Sequence, residues 1–244
     1  MRRSVLLSML VALAILAGCA GGKKAEMVNA NAAVESEIPR DSLKAKFVLT
    51  LTEKNGKTQN LDAVLFSVPG KRYRMELTGP MGVGVASMLW TEQGWVMTFP
   101  TEKLYMKGNG YMVGLLADNS LPLVHIHQVA DIFDGRVLPE GFEIEEEKDQ
   151  VTYAREKGGK RFSFERKDSV VTWLSRTGRD GKPETLQFLE YRAFEGVKTP
   201  SRIVFQRDGR NYLEINIKKV TRNKPFSLGV WRLNVPRSFS PVDG

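Results

Sequence analysis

Apolar and polar residues alternate along much of the chain from Lys44 onward, with a period of two. This period is typical of strands that are buried on one face only. In the first segment, the apolar face comprises Ala45, Phe47, Leu49 and Leu51. The Asn-Gly pair at 55–56 is a strong hairpin signal, so we predict that a return strand over 58–68 pairs with this first strand.

Further strands are predicted where the alternation returns between turns rich in Gly or charge. They cover residues 72–77, 85–91, 94–99, 104–107, 142–146, 151–156, 161–166, 170–175, 185–194, 202–206 and 212–220. In the segment 72–77, Tyr73, Met75 and Leu77 are expected to face inward. Because no alternation of strands with helices is present, a nucleotide-binding α/β fold is excluded, and we expect a mainly β protein with one large antiparallel sheet.

One stretch departs from the strand pattern. Residues 111–118 form an apolar run, and apolar residues recur at helical spacing between Ile126 and Phe133. Two short helices are therefore predicted near residues 110–134. They are too short to build a core of their own, so we expect them to cover the sheet as a lid.

The N-terminus has the pattern of an export signal. A basic start at Arg2 and Arg3 precedes an apolar run that is too short for a permanent membrane span, which needs about 20 residues. Leu16-Ala17-Gly18-Cys19 resembles the lipobox of bacterial lipoproteins, and Cys19 is the only cysteine of the chain. We predict a signal peptide over 1–18, acylation of Cys19, and a flexible tether over 19–40.

The anchor sets the expected location and partners. Ala20 follows Cys19, and because an Asp there retains lipoproteins at the inner membrane of enteric-type bacteria, we expect outer-membrane attachment with the domain facing the periplasm. Without Arg2 and Arg3 the chain has 34 basic and 28 acidic residues, a net charge of +6. In an exported protein this charge favours anionic lipid head groups, and we expect no nucleic-acid partner.

The segment Arg72-Tyr73-Arg74-Met75-Glu76-Leu77-Thr78-Gly79-Pro80-Met81-Gly82 resembles a region of the LolB-like outer-membrane lipoprotein receptors of the LolA/LolB lipoprotein-carrier superfamily. In that family a basic-aromatic strand leads into a loop of Pro, a hydrophobic residue and Gly. The order of elements is also similar, through the Pro-containing link Leu121-Pro122-Leu123, the helix before Gly135, and the Pro-led strand after Lys198. The resemblance spans roughly residues 41–220 and leaves 221–244 as a C-terminal extension, which we expect to pack on the sheet.

This resemblance implies a half-open barrel of about 11 strands with a helical lid. It also implies an apolar cavity that takes acyl chains of lipoproteins from a periplasmic carrier protein and delivers them to the outer membrane. The delivery loop is Gly79, Pro80, Met81 and Gly82, and Met81 matches the protruding hydrophobic residue of the family. A Met is apolar and adaptable enough for that position.

An apolar stripe along the strands after residue 72 has two open interpretations. It lines a lipid cavity, or it is part of a close-packed core. The stripe comprises Met75, Leu77, Met88, Trp90, Trp95, Met97 and Phe99.

The sequence offers little material for catalysis or metal binding. His125 and His127 are the only histidines, no Cys or carboxylate is placed to complete a metal site, and we interpret them as solvent-facing or helix-start residues. No nucleophile elbow, phosphate-binding loop or His-Glu-x-x-His motif is present. We expect no cofactor and no enzyme activity; the one enzyme hypothesis left open is a glycan- or lipid-modifying activity that uses an unrecognised pair of acidic residues.

A second functional hypothesis comes from a different class of protein. The same anchored sheet could act as a non-catalytic docking lipoprotein in an envelope complex. A carrier needs an apolar lumen under a movable lid, whereas a docking module has a filled core and an exposed patch.

Overall fold

Strands make up most of the chain that the structure, a computed structural model, describes, namely residues 26–29, 41–53, 55–110, 125–178 and 180–242. In chain order the strands are β1 (Glu26–Asn29), β2 (Leu43–Thr52), β3 (Thr58–Val68), β4 (Arg72–Thr78), β5 (Gly84–Thr91), β6 (Gly94–Phe99), β7 (Leu104–Gly108), β8 (Phe142–Lys148), β9 (Val151–Glu156), β10 (Arg161–Lys167), β11 (Val170–Thr177), β12 (Pro183–Phe194), β13 (Val197–Arg207), β14 (Arg210–Arg222), β15 (Arg232–Val235) and β16 (Ser240–Pro241). The described helices are α1 (Ile126–Phe133) and two single 3₁₀ turns, Pro80–Gly82 and Leu228–Trp231.

Fourteen strands form one curled sheet that does not close, in the order β16-β7-β6-β5-β4-β3-β2-β14-β13-β12-β11-β10-β9-β8. Neighbouring strands are antiparallel except for β16, which runs parallel to β7. The predicted mainly β fold with one large curled antiparallel sheet is thus confirmed. All thirteen predicted strand segments pair in this sheet and the C-terminal tail adds β16, so the sheet has more strands than the roughly 11 that the family resemblance implies.

The turns of the sheet lie on two opposite rims. The Met81 rim carries the β2–β3 turn at 53–57, the β4–β5 loop at 79–83 and the β6–β7 turn at 100–103. The Arg222 rim is the other end of the same strands, where β2 begins at Leu43, β14 ends at Arg222 and the β5–β6 turn lies at 92–93. This division determines which loops can act together.

The concave face of the sheet carries the main core. Alternate residues of each strand point into it, as the period of two predicts, and Phe47, Tyr73 and Met75 are all buried there. The predicted inward positions of β2 and β4 are buried, except that Leu51 is only partly buried against the same core. Helix α1 packs on this face with Phe133, which is fully buried.

A second, smaller core lies on the convex face of the same strands. It contains Leu89 and Val96 from β5 and β6, and Trp231, Leu233 and Val235 from the C-terminal segment. Leu233 and Val235 belong to β15, which pairs with β1 in a separate two-stranded sheet. The strands β3 to β6 are therefore covered on both faces, as a sheet with apolar side chains on both faces requires.

Candidate functional site

The β4–β5 loop forms a tight turn with Met81 at its tip. The Gly79 amide donates to the Val83 carbonyl at 2.8 Å, which closes the loop at its base. Met81 has φ +60° and ψ +18°, in the left-handed region that favours glycine, and the following Gly82 has φ +78°. Because a non-glycine residue there costs about 1–3 kcal/mol, the loop holds Met81 in a conformation that stability alone does not favour.

The Met81 side chain points into solvent. Its exposed fraction is 98%, and Val83 two residues later is 51% exposed. An apolar side chain of this size gains about 1.5–3 kcal/mol when it is buried, so a free Met81 forgoes that energy. The loop therefore presents two apolar side chains to whatever meets the Met81 rim.

Basic residues flank the loop on the same rim. Lys57 lies in the β2–β3 turn and Lys103 in the β6–β7 turn, and both are exposed. Thr101 of the β6–β7 turn donates its hydroxyl to the Gly84 carbonyl at 3.3 Å, which ties this turn to the base of the loop. The same two turns also carry Glu53 and Glu102, so the apolar tip lies between turns of mixed charge.

The predicted apolar stripe lies together on the concave face, in the main core. Met75 pairs with Met88, and Met88 with Met97, so three thioethers occupy neighbouring positions on β4, β5 and β6. All three are at most 2% exposed, and Leu77 and Trp90 are 4% exposed. Trp95 and Phe99 are partly buried and pack against the same cluster.

The C-terminal end of α1 is fastened to the Arg222 rim by one side chain. The Arg222 guanidinium donates to the carbonyl oxygens of Phe133 at 2.7 Å and Phe194 at 2.6 Å, and to Asp134 Oδ1 at 3.2 Å. Below this fastening, the ring of Phe133 meets Phe47 edge to face at 5.0 Å between centroids. The sequence pattern did not single out Arg222, because its partners lie 28 to 89 positions away.

The N-terminal end of α1 lies in an aromatic cluster instead. The His127 ring packs against Tyr73 at 4.3 Å and Trp90 at 4.6 Å between centroids. Burial in this cluster, and secondarily the neighbouring His125, lower the pKa of His127 to about 4. At neutral pH His127 is therefore an uncharged ring that behaves as part of the apolar face.

Helix α1 begins between the two histidines, with His125 as its N-cap residue. This placement separates the pair, so the two rings do not form a common face. Within the described ranges, no cluster of three or more His, Cys, Asp or Glu side chains could hold a metal ion. No helix in those ranges has the length and apolarity needed to span a bilayer.

The charged face of β4 is covered by the C-terminal segment. The Arg72 guanidinium lies over the Trp231 ring at 4.5 Å, and Arg74 donates to the Val230 carbonyl at 3.0 Å and to the Arg232 carbonyl. Arg74 also pairs with Glu76 at 2.6 Å. The alternation of Arg72 and Arg74 predicted their common face, but it gave no sign that Trp231 would pack there.

A separate cleft of about 330 Å³ lies at the far end of the sheet, at the edge formed by β8. Phe142, Ile144, Phe164 and Arg166 contribute to its walls, with polar residues of the β8–β9 turn. Ile144 is 57% exposed. The cleft is open and lined by both polar and apolar residues, and β8 is nine strands away from β4 in the sheet order.

Several predicted features lie outside the described residues. They are the signal peptide over 1–18, Cys19 with most of the tether over 19–40, the helix at 111–118 and the link Leu121-Pro122-Leu123. The acylation of Cys19 therefore stays a prediction. The described part of the site consists of the Met81 loop, the concave face and α1.

Comparisons with known proteins support the fold. No known family model matches the sequence, and no curated protein matches it. Among solved structures, a DUF1329 family protein from Desulfovibrio piger superposes with a TM-score of 0.52 at 14% identity, over 79% of this chain and 90% of that one. A LolA superfamily protein from Nitrosomonas europaea gives a TM-score of 0.51 at 10% identity, over the same shares of the two chains. At these identities the likeness concerns the fold, and we conclude that the chain has a LolA-like fold.

Proposed function

We propose that the mature chain is an outer-membrane lipoprotein that binds acyl chains of lipoproteins and inserts them into the membrane. Acylated Cys19 attaches it to the bilayer with the domain in the periplasm, and a periplasmic carrier protein supplies the cargo. The protein acts by binding and release, without catalysis. The LolA-like fold is consistent with such a carrier.

The observation that carries the proposal is the exposure of Met81. The loop holds an apolar side chain at 98% exposure, in a backbone conformation that favours glycine. A turn that served only to join β4 to β5 would gain stability from a small or polar residue at this position. Since the loop keeps an adaptable apolar side chain, we infer that its tip contacts lipid or an arriving acyl chain.

The concave face is the proposed site for the acyl chain. Each methylene that it buries contributes about 0.8 kcal/mol, so a palmitoyl-sized chain supplies enough free energy to displace a short helix. Helix α1 has eight residues and one Arg222 fastening at its C-terminal end. Met75, Met88 and Met97 beneath it have unbranched side chains that can repack around a guest.

The test is transfer of an acylated lipoprotein to membrane vesicles by wild-type protein and by Met81→Glu. Because Met81 is fully solvated, the substitution should change the free energy of unfolding by less than about 0.5 kcal/mol. We expect transfer to fall severely while cargo binding persists. Met81→Leu, which keeps an apolar tip, should retain transfer.

Ile144→Glu is the matched control, because it also replaces an exposed apolar residue with Glu but lies at the far edge of the sheet. It should leave transfer unchanged. Unimpaired transfer by a stably folded Met81→Glu protein would remove the loop from the mechanism.

The packing of the concave face favours one alternative. Because Met75, Met88 and Met97 are at most 2% exposed and belong to one continuous cluster, the same face could serve as a filled core. The protein would then be a non-catalytic docking lipoprotein. Mass spectrometry of the native protein after gentle extraction separates the two, since a carrier retains acyl ligand and a docking module does not.

A further inference from the structure

Ser67 of β3 carries a buried hydroxyl without a hydrogen bond. The residue is 1% exposed, and in the part of the chain that the structure describes its Oγ has no hydrogen-bond partner. Burying a hydroxyl that gains no hydrogen bond is unfavourable, because the contact with water that it loses is not replaced. Alanine would fill the same position without this cost, so local packing alone does not explain a serine here.

The other buried polar residues of the described ranges all have partners. Ser42, which is also 1% exposed, donates its hydroxyl to the Lys224 carbonyl at 2.8 Å. Ser201 donates its hydroxyl to the Glu190 carbonyl at 2.6 Å. The remaining members of the set are hydrogen-bonded as well: Thr98, Glu184 and Thr199. Ser67 is thus the one member of this set whose polar atom is unused.

The pairing register places Ser67 on the concave face, at the end near the Arg222 rim. Ser67 pairs with Leu43 of β2 and Tyr73 of β4, which both belong to the main core. Its neighbours along β3, Phe66 and Val68, pack on the convex side instead. Because successive side chains of a strand alternate between the two faces, the Ser67 hydroxyl points to the side on which α1 lies.

Ser67 lies at one end of the proposed acyl site. Two residues back along β3 toward the Met81 rim, roughly 7 Å away, Leu65 pairs with Met75, the first of the three neighbouring methionines. Beside Ser67, the Tyr73 ring contacts His127 of α1 at 4.3 Å between centroids. A guest that displaces α1 would therefore meet this hydroxyl first and then the row of apolar side chains that leads toward the Met81 rim.

We propose that the Ser67 hydroxyl recognises the acyl carbonyl. It donates a hydrogen bond to the carbonyl oxygen of an ester-linked chain, whose hydrocarbon part then lies along Met75, Met88 and Met97. The inference rests on the acyl binding proposed above and adds a polar contact that fixes where the chain begins. A carbonyl oxygen is an uncharged acceptor, which suits a neutral donor placed among apolar and aromatic side chains. Because a hydrocarbon alone offers no acceptor, the contact selects acyl chains over alkyl chains.

The experiment compares ligands that differ only in whether the first carbon of the chain is a carbonyl. The protein is the mature chain with Cys19→Ala, so that no acyl group of its own competes for the concave face. One ligand pair is palmitoyl lysophosphatidylcholine and its hexadecyl ether analogue, and the other is a dipalmitoylglyceryl-cysteine lipopeptide and its dihexadecyl ether analogue. Calorimetric titration below micelle-forming concentrations gives the ratio of dissociation constants within each pair. In the lipopeptide pair we expect the ester to bind about fivefold more tightly, the contribution of one neutral hydrogen bond.

Ser67→Ala removes the donor, and Ser42→Ala is the matched control, because Ser42 is equally buried but already has a partner within the chain. We expect the ester preference to disappear in Ser67→Ala, through weaker ester binding with ether binding unchanged, and to persist in Ser42→Ala. The stability of the two variants should differ in the opposite sense. Ser42→Ala loses a hydrogen bond and should unfold at a lower urea concentration, whereas Ser67→Ala loses none and should unfold at the same or a higher one.

The outcomes separate this contact from the proposed function. The same ester-to-ether ratio in wild-type protein and Ser67→Ala, or a loss of stability in Ser67→Ala as large as in Ser42→Ala, would overturn the inference even if acyl chains bind. A preference that depends on Ser67 in the lipopeptide pair supports the contact and the lipoprotein cargo together. The same preference confined to the lysophospholipid pair supports the contact and overturns lipoproteins as the cargo. Failure of every ligand to bind would overturn both.

Discussion

The two faces of strands β3 to β6 are both apolar and both covered, but the covers differ in how they are held. On the concave face the described cover is α1, eight residues long and fastened at one end by Arg222. On the convex face the cover is the C-terminal segment, which contacts β4 through Trp231 and then continues into β16 at the edge of the sheet. The convex cover is thus held partly by backbone pairing in the sheet, whereas the described contacts of α1 are the Arg222 hydrogen bonds and the contacts of its apolar and aromatic side chains.

This difference indicates which cover can move. Before the convex cover opens, the backbone pairing of β16 with β7 must break in addition to the side-chain contacts. Helix α1 needs only its hydrogen bonds to Arg222 and its apolar contacts to exchange for those of a guest. Under the proposed function, we therefore expect an acyl chain to enter on the concave face while the convex face stays closed.

The largest expected effect is on stability, in Phe133→Ala. Phe133 is fully buried against Phe47, so removal of its ring should lower the free energy of unfolding by about 3–5 kcal/mol. Trp231→Ala on the convex face is the comparison, and its effect should lie at the lower end of that range because the segment keeps its attachment at β16. Urea unfolding followed by tryptophan fluorescence and circular dichroism measures both. Equal or reversed costs would contradict the difference between the two covers.

Removing the Arg222 hydrogen bonds that hold α1 should have a smaller effect on the free energy of unfolding. Arg222→Ala leaves the carbonyl oxygens of Phe133 and Phe194 without this donor, which should cost about 1–3 kcal/mol. We expect faster amide hydrogen exchange in α1 and tighter acyl binding, because the helix opens more easily. Arg232→Ala, an exposed arginine on the convex side, should change neither. Unchanged exchange in α1 would show that Arg222 does not hold it.

The pH dependence of stability gives the smallest effect. The pKa of His127 is about 4 in the folded protein, against an ordinary value of 6.5. Between these values the unfolded chain binds this proton more readily than the folded one, so His127 makes the fold less stable as the pH falls from 6.5 to 4. His127→Phe keeps a ring beside Tyr73 and removes the proton site. Its unfolding free energy should therefore fall less steeply over this window, and an identical slope would contradict the prediction.

The alternation of apolar and polar residues predicted which side chains point to the concave face, because this pattern depends only on residues that are adjacent in the sequence. The inward positions of Tyr73, Met75 and Leu77 follow from the period of two, and the first hairpin follows from Asn55-Gly56. The exposure of Met81 was expected from the family resemblance, and the structure places this side chain in solvent.

The missed features all depend on contacts between distant parts of the chain. Trp231 lies on Arg72, and Arg222 contacts Phe133, but neither local pattern specifies its partner. Pairing of β15 with β1 joins residues more than 200 positions apart, and short strands of four residues give little periodic signal. Because these long-range contacts decide which cover can move, the proposed mechanism cannot be inferred from the sequence alone.

The central claim is that acyl chains bind on the concave face, and residue-level photocrosslinking tests it most directly. A lipoprotein that carries a photoreactive group within its acyl chain is bound to the protein, irradiated, and the labelled residues are identified by mass spectrometry. The account predicts labels on Met75, Met88 and other concave-face residues, and none on their convex-face neighbours Arg74 and Leu89. Labels confined to the convex face or to the β8 cleft, or no label in a protein that transfers the cargo, would contradict it.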